Sequence, residues 1–214
     1  MIRTFIAVEV NDEIRPAISR RQDEVKDRLS HDLRKLAPDA RLQWTHPESI
    51  HLTLKFLGEI DESQIERICA ALNEVADAAS PLSLEIGGLS AFPDARAPRV
   101  LWLGLADPAG SPQQIARLTH AAGDLDRALR SFGFESESKT YSPHLTLARI
   151  KAGSREVGRA LTDSGALMHS ESIGILRIDG LSLMRSDLKP SGSVYTRLCY
   201  AQFRGSLPMF HEVN

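Results

Sequence analysis

The alternation of apolar and polar residues divides the chain into strand-like and helix-like stretches that occur in a similar order twice. "RTFIAVEV" (3–10) predicts a first strand with Phe5 and Ala7 on one face and Ile6 and Val8 on the other. Residues 14–36 predict a helix that tolerates Pro16 in its first turn, with Pro38 just past its end. A short strand near 42–44 leads through the turn residues "HPES" into a strand over 50–57, closed by Gly58. "DESQ" (61–64) has the form of a capping box, and the helix that it opens carries Ile65, Ile68, Cys69, Leu72, Val75 and Ala76 along one face. After Pro81, strands are expected at 82–88 and 99–105. Ser111-Pro112 then reads as a cap with proline at the first helical position, opening a helix that stops at Gly133. A strand over 144–150 and a weak helical stretch near 154–162 come next. Two long strand patterns, near 173–185 and 193–204, are joined by the turn-like "SDLKPSGS".

Each half therefore offers strands, a helix and one copy of the same tetrapeptide, "HLTL", at 51–54 and again at 144–147. Only two copies exist, so this is no solenoid; two related lobes facing each other in a mostly antiparallel α+β architecture explain it better. On a strand, residues two apart share a face. His51 and Thr53 thus lie together opposite Leu52, Leu54 and Phe56, and His144 and Thr146 lie together opposite Leu145 and Leu147. Each strand anchors one face in a core and presents an imidazole and a hydroxyl on the other.

Composition narrows the classes. With 42% hydrophobic and 25% charged residues over 214 positions, the chain can bury a full core. A net charge of −2 gives no global basic field, so any nucleic-acid partner must be held locally, at an end or a short segment. The opening "MIRTFIAVEV" lacks the layout of a signal peptide, and no apolar run is long enough to span a membrane. The two cysteines, Cys69 and Cys199, are expected as buried free thiols, and the protein as cytoplasmic.

Taken singly, either "HLTL" reads as an ordinary half-buried strand whose histidine and threonine face solvent. Taken together across a cleft, the pairs suit a reacting phosphorus. One neutral imidazole takes a proton from the nucleophile, the other gives one to the leaving oxygen, and two hydroxyls hold the non-bridging oxygens. Other chemistries lack their residues. No Cys, Asp or Glu stands at ligand spacing beside either histidine, so no metal site is expected. There is no G-x-S-x-G elbow, and "GGLS" and "GSREVGR" lack the order of a phosphate-binding loop.

The flanking sequences carry a resemblance. "ESIHLTLKFLGEI" (48–60), "LSAFPDARAPRVLWLGL" (89–105), "YSPHLTLARI" (141–150) and "LSLMRSDLKPSGSVYTRL" (181–198), together with "RTFIAVEV", resemble the bacterial RNA 2′,3′-cyclic phosphodiesterases. These are the LigT-like 2′-5′ RNA ligases of the two-histidine phosphoesterase superfamily. The resemblance runs over nearly the whole chain. It implies one bilobal domain over 1–204, with two mostly antiparallel sheets related by a pseudo-two-fold around a central cleft, helices outside, and a tail over 205–214. It also implies opening of 2′,3′-cyclic phosphates at RNA ends to 2′-phosphates, without metal or cofactor, and 2′-5′ joining in reverse. His51 would be the acid for the departing 3′ oxygen and His144 the base, in a nearly symmetric pair. Thr53 and Thr146 would bind phosphate oxygens.

Arg149 matches an arginine that the family places by the phosphate, although strand parity puts it on the face opposite His144, so a bulge is needed to bring it round. Phe5 is a candidate to stack on the terminal base, against an ordinary core role. Arg99 and Tyr195 match family positions without a mechanism to give them. Trp44 and Trp102 are expected in the core, and His31, His46, His120, His169 and His211 on the surface, with His46 near the cleft rim. The segment 31–42 and the tail depart from the family pattern and bear on substrate choice. A monomer is expected, acting on RNA ends with a 2′,3′-cyclic phosphate or on small cyclic nucleotides. Two alternatives stay open: a cyclic phosphodiesterase of the ADP-ribose cyclic phosphate type, and an RNA-end binding module without catalysis.

Overall fold

The computed structural model describes residues 1–136, 140–168, 171–189 and 192–205. Among these residues, nine strands and four helices succeed one another as β1 (Ile2–Glu9), α1 (Arg15–Leu36), β2 (Arg41–Trp44), β3 (His51–Ile60), α2 (Ile65–Ala78), β4 (Leu82–Phe92), β5 (Val100–Ala106), α3 (Gln114–Arg130), β6 (His144–Ala152), α4 (Ser154–Asp163), β7 (Ser172–Ile178), β8 (Gly180–Lys189) and β9 (Gly192–Gln202). The "HPES" turn forms a short 3-10 turn at Pro47–Ser49. Asp61 and Gln64 form the expected capping box, on a 3-10 turn that runs directly into α2.

The strands make one antiparallel sheet in the order β7-β4-β5-β6-β3-β1-β8-β9, with β2 paired to the outer end of β6. That order is a palindrome of roles. β6 and β3 are the two "HLTL" strands, β5 and β1 flank them, and β4 and β8 come next, then β7 and β9. The halves join in the middle through a single registered pair, Leu52 with Leu145. The two expected sheets are thus the four-stranded halves of one curled sheet.

All four helices pack on the leucine face. Leu52, Leu54, Leu145 and Leu147 belong to one core with Ile18 and Leu29 of α1, Ile68 and Leu72 of α2, Leu118 and Leu125 of α3, and Val157 and Leu161 of α4. The opposite face carries a second, small buried cluster of Phe5, Ala7 and Met184, with Tyr195 against it. An antiparallel sheet covered on one face and open on the other leaves that second face for polar groups.

Three local expectations are corrected. The strand pattern over 173–185 is two strands, because β7 pairs with β4 and β8 with β1, which lie in opposite halves. The chain crosses between the halves at Asp179, a change of neighbour that hydropathy does not register. The cap of α3 is not Ser111. The Asp107 carboxylate, just past β5, accepts from the backbone N–H groups of Gln113 (2.8 Å) and Ile115 (2.7 Å). Much of "SDLKPSGS" is strand, since β8 and β9 pair out to Lys189 with Gly192; Pro190 and Ser191 lie outside the described residues, as does the tail beyond Gly205.

The cysteines are not free. Cys69 on α2 and Cys199 on β9 form a disulfide across 130 positions of sequence. Each sits on an apolar face, as the pattern implies, but α2 packs on β9 and brings the two together. A compartment argument from free thiols loses that support, since disulfides are uncommon in reducing compartments. Among the described residues, no helix is long and apolar enough to cross a membrane.

Candidate active site

The two "HLTL" strands share more than four letters. From His51 and from His144, the nine positions of β6 and the matching nine of β3 show the same succession of buried and accessible residues, although the sequences diverge after the fourth. In both, the fourth and fifth residues are buried in succession and the sixth is exposed. Strict alternation would forbid this. The register supplies the cause: Ile6 pairs with Lys55 and Ala7 with Thr53, leaving Leu54 as an extra residue. Leu101 likewise pairs with Ala148 and Trp102 with Thr146, leaving Leu147 extra. Each motif thus ends in a β-bulge that inverts the parity of the residues beyond it.

The inversion changes two assignments. Arg149 comes round to the histidine face, where its charge acts on both His51 and His144. Phe56, expected among the leucines, turns to the histidine face and stands exposed, with its ring 6.2 Å from that of Phe5. Arg149 and Phe56 occupy equivalent positions in the two halves.

The bulge at Leu147 has a dedicated support. Its carbonyl accepts from the Thr45 backbone N–H at 2.8 Å and from the Gln22 side-chain amide at 3.1 Å. Gln22 is fully buried on α1 and also donates to the Thr45 carbonyl at 2.7 Å. A buried amide is tolerated because its hydrogen bonds are made, and here they hold the segment that aims Arg149. At the other bulge, the buried Lys55 forms an ion pair with Asp126 of α3 at 2.5 Å and donates to the Glu135 carbonyl at 2.7 Å. The Tyr141 hydroxyl donates to the Thr53 carbonyl, tying the approach to β6 onto β3. Sequence inspection finds neither Gln22 nor Lys55; a lone glutamine within an otherwise apolar helix face is the only signal.

The histidines are oriented alike. Nδ1 of His51 lies 2.8 Å from the Ser49 carbonyl, and Nδ1 of His144 lies 2.7 Å from the Ser142 carbonyl. A carbonyl only accepts, so Nδ1 must carry the hydrogen in both rings. Nε2 is the nitrogen left able to take or give a proton, a lone pair in the neutral ring and an N–H in the cation. The antiparallel Leu52–Leu145 pair places His51 on the same strand level as Thr146, and Thr53 on that of His144.

Both imidazoles are held below the usual histidine range. For His51 the largest cause is burial, opposed by the Ser49 carbonyl; Arg149 and His144 lower it further, and Glu9 raises it. For His144 burial again leads, opposed by the Ser142 carbonyl and reinforced by Arg149. Aromatic rings wall both. His51 lies 4.7 Å from Phe5 and 5.1 Å, edge-on, from Tyr195, while His144 lies 5.0 Å from Phe92 and 5.8 Å from Trp102.

Two expectations shift here. Phe5 is 3% exposed, its ring against His51 and Tyr195, so it backs the imidazole instead of offering a face to a base. Trp102 pairs with Thr146 and stacks on Phe92 beside His144, on the cleft side of the sheet and outside the core. Trp44 does pack at the core margin. His31, His46 and His120 are exposed, and Arg99 is exposed; His169 and His211 lie outside the described residues.

Two imidazole Nε2 atoms, two threonine hydroxyls and one guanidinium share a single open face, a set that can exchange protons and hold an anion. The chain belongs to the LigT like Phosphoesterase family, whose model matches residues 8–102 and 110–195. It is 33% identical over 195 residues to the RNA 2′,3′-cyclic phosphodiesterase of Methanothermobacter thermautotrophicus, covering 91% of this chain and 95% of that protein. It is 31% identical to the protein of the same name in Archaeoglobus fulgidus, over 92% and 98% of the two chains. A crystal structure of the Thermus thermophilus protein TT0787 superposes with a TM-score of 0.67 at 25% identity, over 96% of this chain and all of that one.

Proposed function

We propose that this chain opens 2′,3′-cyclic phosphates at RNA ends to leave 2′-phosphates. The observation that carries the reading is the pair of equivalent Nε2 atoms, each fixed by an Nδ1–H donated to a carbonyl, on a face where Arg149 acts on both rings. The names of the curated relatives point to the same substrate.

In the proposed reaction, His144 Nε2 takes a proton from water as the water oxygen attacks phosphorus. The bond from phosphorus to the 3′ oxygen breaks, and His51 Nε2–H gives its proton to that oxygen. A 2′-phosphate and a free 3′-hydroxyl remain, with His144 protonated and His51 neutral until solvent resets them. Thr53 and Thr146 donate to the non-bridging oxygens, and Arg149 stabilises the charge that grows there. Phe56 offers the terminal base an exposed ring, since aromatic faces stack on unpaired nucleotides. With a 5′-hydroxyl in place of water, the same steps join RNA ends through a 2′-5′ bond.

The test is incubation, with EDTA present, of a short RNA ending in a 2′,3′-cyclic phosphate, followed by identification of the product phosphate. A 2′-phosphate that disappears with His144→Ala supports the reading. Faster turnover of cyclic mononucleotides than of the oligonucleotide redirects it to small substrates, and binding without turnover of either leaves an RNA-end binding module.

A further inference from the structure

The two halves supply each histidine with the same strand geometry but not with the same charge. In β1, Glu9 pairs directly with His51; at the equivalent place in β5, Gly104 pairs with His144. Directly paired residues on antiparallel strands point to the same face with Cβ atoms about 5 Å apart, so a carboxylate flanks one imidazole only. A side chain at position 104 would be crowded, because a Cβ there would meet the Gly87 carbonyl oxygen at 3.0 Å.

Glu9 is also held in place. Its Oε1 accepts from the Ser182 hydroxyl at 2.5 Å and from the Arg197 guanidinium at 3.2 Å, and Ser182 is buried. A carboxylate fixed from two strands is a set feature of the site.

Resting on the function proposed above, we propose that Glu9 is a positioning residue that favours the proton on His51 and so biases the pair towards His51 as acid and His144 as base. A nearly symmetric pair needs such a bias, since either histidine could otherwise serve either step. The other groups that face His51 do not supply it. Arg149 and His144, from β6, oppose its protonation; Tyr195, from β9, offers a ring edge; and Arg197, also from β9, reaches Glu9 itself. Glu9 acts on His51 in the required direction, and no carboxylate among the described residues does the same for His144.

The experiment combines an NMR titration of the histidines, assigned with His51→Ala and His144→Ala, with pH–rate profiles of the wild type and of Glu9→Gln. In Glu9→Gln the His51 titration moves to lower pH by about half a unit, roughly threefold in rate above that pKa, and His144 stays in place. The limb of kcat/KM that belongs to His51 moves with it, and Glu9→Asp restores part of the shift. A second substrate separates the roles. When sulfur replaces the bridging 3′ oxygen, the leaving thiolate needs no proton, so His51→Ala and Glu9→Gln recover relative to wild type and His144→Ala does not.

Unmoved titrations, or a loss uniform across pH and across both substrates, overturn the proposal. Recovery of His144→Ala instead of His51→Ala overturns it as well. An inactive wild type sinks the proposed function, while the titration still decides whether Glu9 acts on His51 alone.

Discussion

The half of the molecule built around His51 and the half built around His144 are the same piece of geometry with different residues at the decisive points. Both place His and Thr before a bulge, both fix Nδ1 on a carbonyl two residues back, and both bury the two residues at the bulge. They part where the chemistry does. Phe56 stands where the other half has Arg149, Glu9 where it has Gly104, and the buried Lys55 where it has Ala148. The difference teaches that the fold provides duplicate proton-transfer positions, while direction comes from single residues that break the duplication.

The largest blow to either half is loss of its imidazole. His51→Ala and His144→Ala should each reduce turnover of the cyclic phosphate by at least about 10², the usual scale of one proton transfer. A near-normal rate in either variant would falsify the paired mechanism. Arg149→Ala should lose about 10- to 100-fold in kcat, and Thr53→Ala or Thr146→Ala a similar amount, each through one lost transition-state donor. Phe56→Ala, at the equivalent position, should instead raise KM several-fold with little change in kcat. Reversal of those two signatures would show that the halves do not divide charge and base between them.

The bulge can be attacked from behind. Gln22→Leu leaves the Thr45 carbonyl without its amide donor and removes one of two donors to Leu147, at a cost to stability of about 1–3 kcal/mol. It should slow the enzyme several-fold, and combining it with Arg149→Ala should add little, because both act through the guanidinium. Full additivity of the rates would mean that Gln22 only stabilises the fold.

The pH dependence is the next, smaller test. Both histidines are neutral to a lower pH when folded than when unfolded, so the unfolded chain binds more protons as the pH falls below about 6.5. Their contribution to stability is present above that value and is lost as the pH falls through the lowered folded pKa values, which urea titrations at several pH values will show. For the same reason the bell of kcat/KM should peak below pH 6.5; a peak above it would contradict the depressed values.

The smallest effect on rate comes from a feature that only one half possesses. Cys69 and Cys199 tie α2 to β9, on the helix-covered side of the His51 half. Reduction, or Cys69→Ser with Cys199→Ser, should lower stability by about 2–4 kcal/mol and leave kcat nearly unchanged at 25 °C. A large drop in kcat would mean that the crosslink reaches the site.

The amino-acid sequence by itself determined the strand and helix types, the doubled His-x-Thr motif, the capping box at Asp61 and the antiparallel α+β class. These rest on local periodicity and on side-chain chemistry repeated within a few residues. Its errors have one source. Strand parity placed Arg149 away from the site and Phe56 in the core, because a bulge is a property of two paired strands and leaves no mark in one. The crossing at Asp179, the disulfide and the carboxylate beside His51 all join residues that only chain topology makes neighbours. Local alternation decides which face a side chain seeks; pairing register and helix packing decide which other side chain it meets there, and in this protein that second decision distinguishes one histidine from the other.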